Sequence, residues 1–546
     1  MEAIDPYGST WYAATAAPHP EREKLTFDLD VDVCVIGGGL AGLSVAREIA
    51  RRGWSVAVLE ARRIAWNASG RNVGFVLPGF SAPPEAIVAR VGKARAKALW
   101  ALSQQGVDYV RNTIAETQML GVDPADGWLQ VSKVDRPAQV AEAAALLRDE
   151  FNADIETWPT ELVRQKLKTR RYFQAIHFPT AFHIHPLNYA LGLAKAAEAA
   201  GVRIFEYTPA LSIDPAGVRK RIVTPSARAR AAHVVMAGNV HLGGVMPAIS
   251  KTLLPISTYV MTTEPLGERV LDAIDYRGAV SDGEGASNHY RITVDGRLMW
   301  SGRVTMWSGN PRRYAKRLRR EIRRVYPQLG KVEISHCWTG MLGKAVHRMP
   351  QIGEVTPGLW LASAFSGHGL NTTAMAGDVI ARAIVENDQT WRLFAPYELV
   401  WAGGAAGRAA VQVAYWAKRI AGGAEAYFSR NNEANTFAAA EKARRLADEE
   451  AQRKVDEAVQ AEARKESEAA AQAMAHTGDE PPAPEPAPAP KIESVPPKPK
   501  VPRARAAGKP APPRKRKAKP GETAEPDDVA PAGDPVAEKR SEPETI

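Results

Sequence analysis

Val31-Asp-Val-Cys-Val-Ile-Gly-Gly-Gly-Leu-Ala-Gly42 is the stretch that decides how this chain folds. Residues 31 to 36 form a short, mostly apolar and β-branched run, which reads as a buried parallel strand. A helical pattern follows from Leu40 to Arg52 and stops at Gly53, and Ser55-Val-Ala-Val-Leu-Glu60 reads as a second strand. Together these make one βαβ unit in about thirty residues. Gly37, Gly39 and Gly42 complete a G-x-G-x-x-G pattern, with Gly38 inside it, placed between strand and helix as a dinucleotide site requires. The first glycine permits the tight turn, the next lets a pyrophosphate approach the backbone, and the last lets helix and strand pack closely. The helix N-terminus then faces the phosphates. Glu60 ends the second strand, where a carboxylate can accept hydrogen bonds from adenosine ribose hydroxyls and disfavours a 2′-phosphate. FAD and NAD both fit this much of the pattern.

Outward from this unit the chain alternates helical patterns, such as Pro186 to Gly201, with short strands, such as Val202 to Phe205 and His233 to Ala237. Residues 255 to 305 look antiparallel, with Tyr290-Arg-Ile-Thr-Val and Arg297-Leu-Met-Trp-Ser flanking Asp295-Gly296 as a hairpin. The expected fold class is therefore α/β: a Rossmann-like cofactor domain of the glutathione-reductase type, interleaved with an antiparallel-sheet substrate domain. An extension (1–30) precedes cofactor-binding segments at 31–80, 181–250 and 346–423, the last including C-terminal helices. Substrate-domain segments fill 81–180 and 251–345. From residue 424 to 476 Ala, Glu, Lys, Arg and Gln dominate, and Phe437, Leu446, Val455 and Val459 make no heptad, so a solvated helix is expected rather than a coiled coil. Fourteen of the forty prolines lie between residues 481 and 520, and 477–546 is expected to be a disordered tail.

Residues 491 to 520, within that tail, hold eleven Lys or Arg against the single acid Glu493, a local excess equal to the formal charge of +10 of the whole chain. The remaining chain is formally neutral and carries no general signature of a nucleic-acid binder. Only Cys34 and Cys337 occur, which excludes a disulfide framework and a thiolate metal site; no metal is expected, and a reducing cytoplasm fits. No secretory h-region and no run of eighteen apolar residues is present, so no transmembrane segment is expected.

Two further segments separate the cofactors: Ala68-Ser69-Gly70-Arg71-Asn72 and Ser366-Gly367-His368-Gly369-Leu370-Asn371. With Trp11-Tyr12, His185-Pro186-Leu187, Val234-Val-Met-Ala237-Gly238, Tyr290-Arg291, Trp338-Thr-Gly340 and Arg348-Met-Pro-Gln-Ile-Gly353, in that order, the chain resembles the D-amino-acid oxidase and glycine oxidase superfamily of FAD enzymes. It is most similar to the gamma-glutamylputrescine oxidase branch. The resemblance covers about three quarters of the chain, to about Ile420.

The resemblance implies FAD as cofactor. It places Ser69 to Asn72 beside the pyrophosphate and isoalloxazine, Ala237-Gly238 in the cofactor domain, and Gly367 to Asn371 against the pyrimidine end of the flavin. There, backbone N–H groups before the helical pattern Thr372 to Glu386 can stabilise charge on the reduced ring. Val73 replaces a glycine usual in the branch, a departure that bears on substrate identity more than on flavin binding. A carboxylate can be held by an arginine through two parallel hydrogen bonds; Arg291 and Arg348 are candidates, with Tyr259, Tyr290 and Trp338 as further substrate-site residues. No catalytic base is required if flavin N5 takes hydride from a neutral amine, so His368 is expected to position the flavin rather than to remove a proton. Cys337 is one position from an attachment point used by some relatives and no histidine lies between Arg62 and Phe80, so FAD is expected to be non-covalent.

The expected function is oxidation of a C–N bond of a small amine or amino acid to an imine, with oxygen reduced to hydrogen peroxide. A dehydrogenase using another electron acceptor is the alternative, and a flavoprotein tethered by its basic tail to nucleic acid or an acidic membrane is a third reading.

Overall fold

The computed structural model describes residues 7–283 and 287–476. The expected disordered tail lies outside them. Compact unit 1 runs from Met1 to Arg453, and unit 2 from Lys454 onward, of which the described part is helical.

Leu29–Ile36 and Val56–Leu59 are the two strands of the opening βαβ unit, and Leu40–Arg51 is its helix, buried from Leu40 through Ala50. These strands sit in the middle of an eight-stranded sheet. Its main path runs Gln351–Thr356, Leu359–Ser363, Arg228–Met236, Leu29–Ile36, Val56–Leu59, Arg203–Phe205, with Lys220–Val223 and Ser212–Asp214 on a side branch. The five strands from Leu359–Ser363 to Arg203–Phe205 are parallel, so their carboxyl ends open on one edge, where ligands bind in such sheets. Helix Gly369–Val385 packs on Leu40–Arg51 so closely that a Cβ at Gly377 would come within 2.6 Å of Ser44 Cβ.

A nine-stranded sheet forms the second layer, with main path Ile334–Lys344, Leu254–Thr263, Leu298–Thr305, Asn288–Ile292, Ala279–Asp282, Ala125–Val131, Ala175–His183, Phe75–Val76. All pairs are antiparallel except Ala279–Asp282 with Ala125–Val131. Segments of the two sheets alternate along the chain, because each excursion from the parallel sheet returns through strands of the other.

The pleat divides this second sheet into two faces. Val260, Met299 and Trp338 belong to the core shared with the parallel sheet. Tyr259, Met261, Tyr290 and Trp300 point the opposite way, into a separate core under helix Pro311–Val325. The C-terminal helix is longer than the composition implies, running from Gly404 to His476. Gly422 and Gly423 do not break it. Its first turns are pinned to the second sheet, where Gln412 accepts from Met306 N at 3.0 Å and Arg419 donates to Gly302 O at 3.2 Å. Phe437, Leu446, Val455 and Val459 are exposed.

Candidate functional site

The site grows from the glycine turn at the carboxyl edge of the parallel sheet. Gly37 has φ +111°, and a Cβ there would lie 2.9 Å from the backbone of Ala237 and Gly238, where the neighbouring strand ends. A methyl on Gly42 would stand inside contact distance of the Gly37 carbonyl oxygen, and one on Gly39 would lie 2.8 Å from Ser69 Oγ. The turn is thus stripped of side chains wherever the backbone must approach something closely. Ser69 Oγ accepts from Leu40 N at 3.0 Å, tying the 68–72 loop to the helix N-terminus.

Glu60 is buried, with its carboxylate accepting from Gly38 N at 2.6 Å and Arg62 N at 2.9 Å. Burial pushes its carboxyl above the usual range, while these N–H groups pull the other way. Each carboxylate oxygen keeps lone-pair capacity for a ribose hydroxyl. Behind it, Glu206 is fully buried, accepts from Ile64 N at 2.9 Å and pairs with Arg63 at 2.7 Å, which fixes the chain beyond the second strand.

The 68–72 loop is braced from both layers. Gly70 N donates to Ala65 O, Asn72 Nδ2 donates to Ala68 O and Ser69 O, and Arg71 donates to Thr339 O and Tyr7 O. Tyr12 Oη donates to Asn72 O at 2.7 Å, a role that Trp11-Tyr12 did not announce in sequence.

At the other end, Gly367, His368 and Gly369 precede helix Gly369–Val385, and a Cβ on either glycine would meet nothing within 4 Å. The open space lies at the helix N-terminus, where N–H groups point outward. Leu370 is in the hydrophobic core and Asn371 is fully buried, its Nδ2 donating to Gly79 O and Ser103 O. Those two side chains anchor the helix, leaving backbone groups to face the open space. His368 Nδ1 is buried without a hydrogen-bond partner among the described residues. Burial, then His289 and Arg348, push its pKa down to about 4, so the ring is neutral at pH 7.

Sheet geometry turns two of the five expected substrate-site residues, Tyr259 and Tyr290, away from the shared core, and hydrogen bonds within the protein occupy two more, Arg291 and Trp338. Tyr259 is fully buried on the far face, with its hydroxyl on Thr305 and its ring stacked on Tyr314. Tyr290 is on that face too, stacked on Trp300 and hydrogen-bonded to Tyr326 at 2.7 Å. Arg291 faces the shared core, but its donors go to Val73 O, Ile184 O, His183 Nδ1 and Tyr12 Oη, so it braces the loop instead of offering a clamp. Trp338 Nε1 donates to Arg71 O at 2.9 Å, another brace.

Of the five, Arg348 keeps an uncommitted donor among the described residues. It adopts φ +66°, and its Nε is buried with no hydrogen-bond partner among the described residues. Non-glycine residues in this conformation are strained, as Ala364 and Ser366 nearby in sequence also are. Lys344, on the strand leading toward it, is pushed down to about 8 by burial and by the charges of Arg348 and Lys418. The sequence reading missed Lys344 and His289. His289 shares a sheet face with Arg291, and its Nδ1 lies 2.8 Å from Ser281 Oγ, which accepts from Trp128 Nε1 at 2.9 Å. Burial lowers its pKa. Only pleat alternation, the step from Tyr290 to either neighbour, could have flagged it.

Two buried histidines make the scaffold acid-labile. His183 Nε2 donates to Arg277 O while Nδ1 receives Arg291, and burial and then Arg291 push its pKa down to about 3; His185 is likewise pushed down to about 3. Because the unfolded chain binds these protons and the folded one does not, this stability is complete above about pH 6.5 and declines as pH falls toward 3. Thermal melts are expected to show about 2 kcal/mol lost per histidine between pH 7 and pH 5. His183→Gln should flatten that decline.

The residues present fit FAD: a glycine cradle a Cβ would fill, a buried acid at the ribose position, and open space before a helix N-terminus. Comparison with known proteins agrees. Residues 32–383 match the family described as FAD dependent oxidoreductase (DAO). The gamma-glutamylputrescine oxidoreductase of Escherichia coli (strain K12) is 32% identical over 393 residues, covering 71% of this chain and 91% of that one. The probable oxidoreductase OrdL of Haemophilus influenzae is 30% identical over 371 residues, covering 66% and 85%. Among solved structures, glycine oxidase from Geobacillus kaustophilus superposes with TM-score 0.58 at 18% identity, over 68% of this chain and 99% of that one. L-proline dehydrogenase from P. horikoshii gives TM-score 0.58 at 18% identity, over 69% and 98%. Fold, cradle and sequence match together make this chain a member of the DAO family of FAD-dependent oxidoreductases.

Proposed function

We propose that the chain oxidises a C–N bond of a small amine that carries a carboxylate, a gamma-glutamylated polyamine being one such molecule, to an imine that water hydrolyses. The observation that carries this reading is Arg348, a strained arginine with a buried, unsatisfied Nε. A guanidinium placed so is stabilised by an anion that supplies the missing acceptor. The E. coli relative is named for gamma-glutamylputrescine, which bears such a carboxylate.

FAD, when bound, supplies the two-electron acceptor for the oxidation. The chain orients the substrate. Arg348 holds the carboxylate, and Lys344 adds positive charge. His368, with its pKa pushed down to about 4, is neutral at pH 7 and does not repel an incoming ammonium, and burial shifts His289, fixed through Nδ1 by Ser281, in the same direction. Ser69 to Asn72, Ala237-Gly238 and the Gly367 to Gly369 turn are the proposed backbone contacts of the cofactor.

We infer that FAD is held without a covalent bond. Cys337 donates to Pro311 O at 3.2 Å and packs with the far-face core, and burial pushes its thiol up to about 12, the opposite of an activated nucleophile. Oxygen is our preferred acceptor, giving hydrogen peroxide, with a dehydrogenase as the alternative.

Anaerobic addition of substrates to the purified flavoprotein tests the reading. Gamma-glutamylated amines or amino acids are expected to bleach the flavin bands at least tenfold faster than unsubstituted polyamines. Equal bleaching by amines lacking a carboxylate would overturn it. Peroxide formation on readmitting oxygen separates oxidase from dehydrogenase.

A further inference from the structure

Helix Pro311–Val325 reads Pro-Arg-Arg-Tyr-Ala-Lys-Arg-Leu-Arg-Arg-Glu-Ile-Arg-Arg-Val, with eight basic residues against one acid. Ala315, Leu318, Ile322 and Val325 bury one stripe against the far face of the second sheet. Of the eight basic residues all but the half-buried Arg319 are exposed, and only Arg324 has a carboxylate within 4 Å among the described residues. That carboxylate, Glu321, is already taken by Arg303 at 2.6 Å and Arg419 at 2.9 Å. The exposed face therefore carries a dense, largely uncompensated positive charge.

An apolar patch adjoins it. Trp307, four residues before the helix, is 49% exposed and packs edge-on against Trp416 of the long helix, with ring centroids 6.4 Å apart. Val413, Trp416 and Ile420 follow one another at spacings of three and four, on one helix stripe, and are 59%, 49% and 74% exposed. The two features are joined, because Arg419, next to Ile420, is the residue that pairs with Glu321 on the basic helix.

We propose that this face docks the enzyme on an anionic lipid bilayer, with the arginines in the headgroup layer and Trp307, Val413, Trp416 and Ile420 at its apolar boundary. Lys and Arg are drawn to the negative surface of such a bilayer, and indole rings settle at the interface between headgroup and hydrocarbon. Both halves of the patch are satisfied at once only there. A second copy of the chain would set two such positive faces against each other, and a nucleic acid would neutralise the arginines while leaving Val413 and Ile420 in water. The basic helix packs on the sheet face opposite the flavin cradle, so docking leaves the cradle free.

Sedimentation of the full-length flavoprotein with vesicles tests this. Phosphatidylcholine vesicles are compared with vesicles of phosphatidylcholine and phosphatidylglycerol at 0.15 M salt, alongside a 30-base-pair DNA duplex. Because the basic tail stays in every variant, only differences between variants are read. Arg313→Gln/Arg317→Gln/Arg320→Gln/Arg324→Gln is expected to weaken binding to the anionic vesicles at least tenfold. Trp307→Ser/Trp416→Ser is expected to weaken it at least threefold and to abolish quenching of tryptophan fluorescence by brominated lipid. All variants should keep the flavin spectrum and turnover of the parent. Unchanged vesicle binding in the arginine variant, or unchanged quenching in the tryptophan variant, overturns the proposal. So does an arginine variant that loses DNA affinity while the parent ignores vesicles, which would make the face a nucleic-acid surface.

Discussion

Gly42→Ala is expected to yield a protein without yellow colour that melts well below the parent or fails to fold. The added methyl would sit inside contact distance of the Gly37 carbonyl oxygen, with Gly37 carbon at 3.1 Å and a Val35 methyl at 3.2 Å also in the way. None of these is the far end of a flexible side chain. The turn must open or the helix must slide, and the helix is locked, because Gly377 brings helix Gly369–Val385 against Ser44 on its other side. Overpacking of this kind costs about 1–3 kcal/mol where side chains can yield and more where backbone must move. Opening the turn also moves Gly38 N away from Glu60, so ribose and pyrophosphate contacts fail together. Gly422→Ala is the control: nothing lies within 4 Å of its Cβ, the site is helical and exposed, and a gain of about 1 kcal/mol at most is expected. Flavin content by absorbance and thermal melts read both. A yellow, stable Gly42→Ala protein would show that the turn is not the cofactor's phosphate site.

Arg348→Met should keep the flavin and lose the substrate. Methionine replaces the guanidinium at similar length and takes on the same backbone strain, so the change isolates the charge and its hydrogen bonds. A charge-assisted, bidentate hydrogen bond is worth about 1.5–3 kcal/mol, so anaerobic flavin reduction by a carboxylate-bearing amine should lose about one to two orders of magnitude in kcat/KM. Reduction by an amine without a carboxylate should change little. Stopped-flow traces over a substrate series separate this from a general loss of activity. Equal slowing for both classes would make Arg348 a structural residue and remove the main support for the proposed substrate.

The sequence by itself determined the cofactor half of this protein, because a dinucleotide turn is a local device. The glycines at 37, 39 and 42, the buried strand before them and the acid at 60 all lie within one βαβ unit, and the chemistry that needs them acts over a few residues. The long charged helix was also legible, since composition alone sets its propensity, though its start at Gly404 was not: packing of Gln412 and Arg419 on the second sheet extends it past Gly422-Gly423. Tertiary structure decided the substrate half. Tyr290 and Arg291 are neighbours in sequence, yet the pleat sends one into the far core and the other into the shared core, and a shift of one residue reverses every such assignment. Whether an arginine is spent on backbone carbonyls, as Arg291 is, or keeps an unsatisfied Nε, as Arg348 does, depends on residues far away in the chain, such as Val73 and Ile184. Periodicity records which residues can share a face, and only packing of the two sheets fixes which face meets the cofactor.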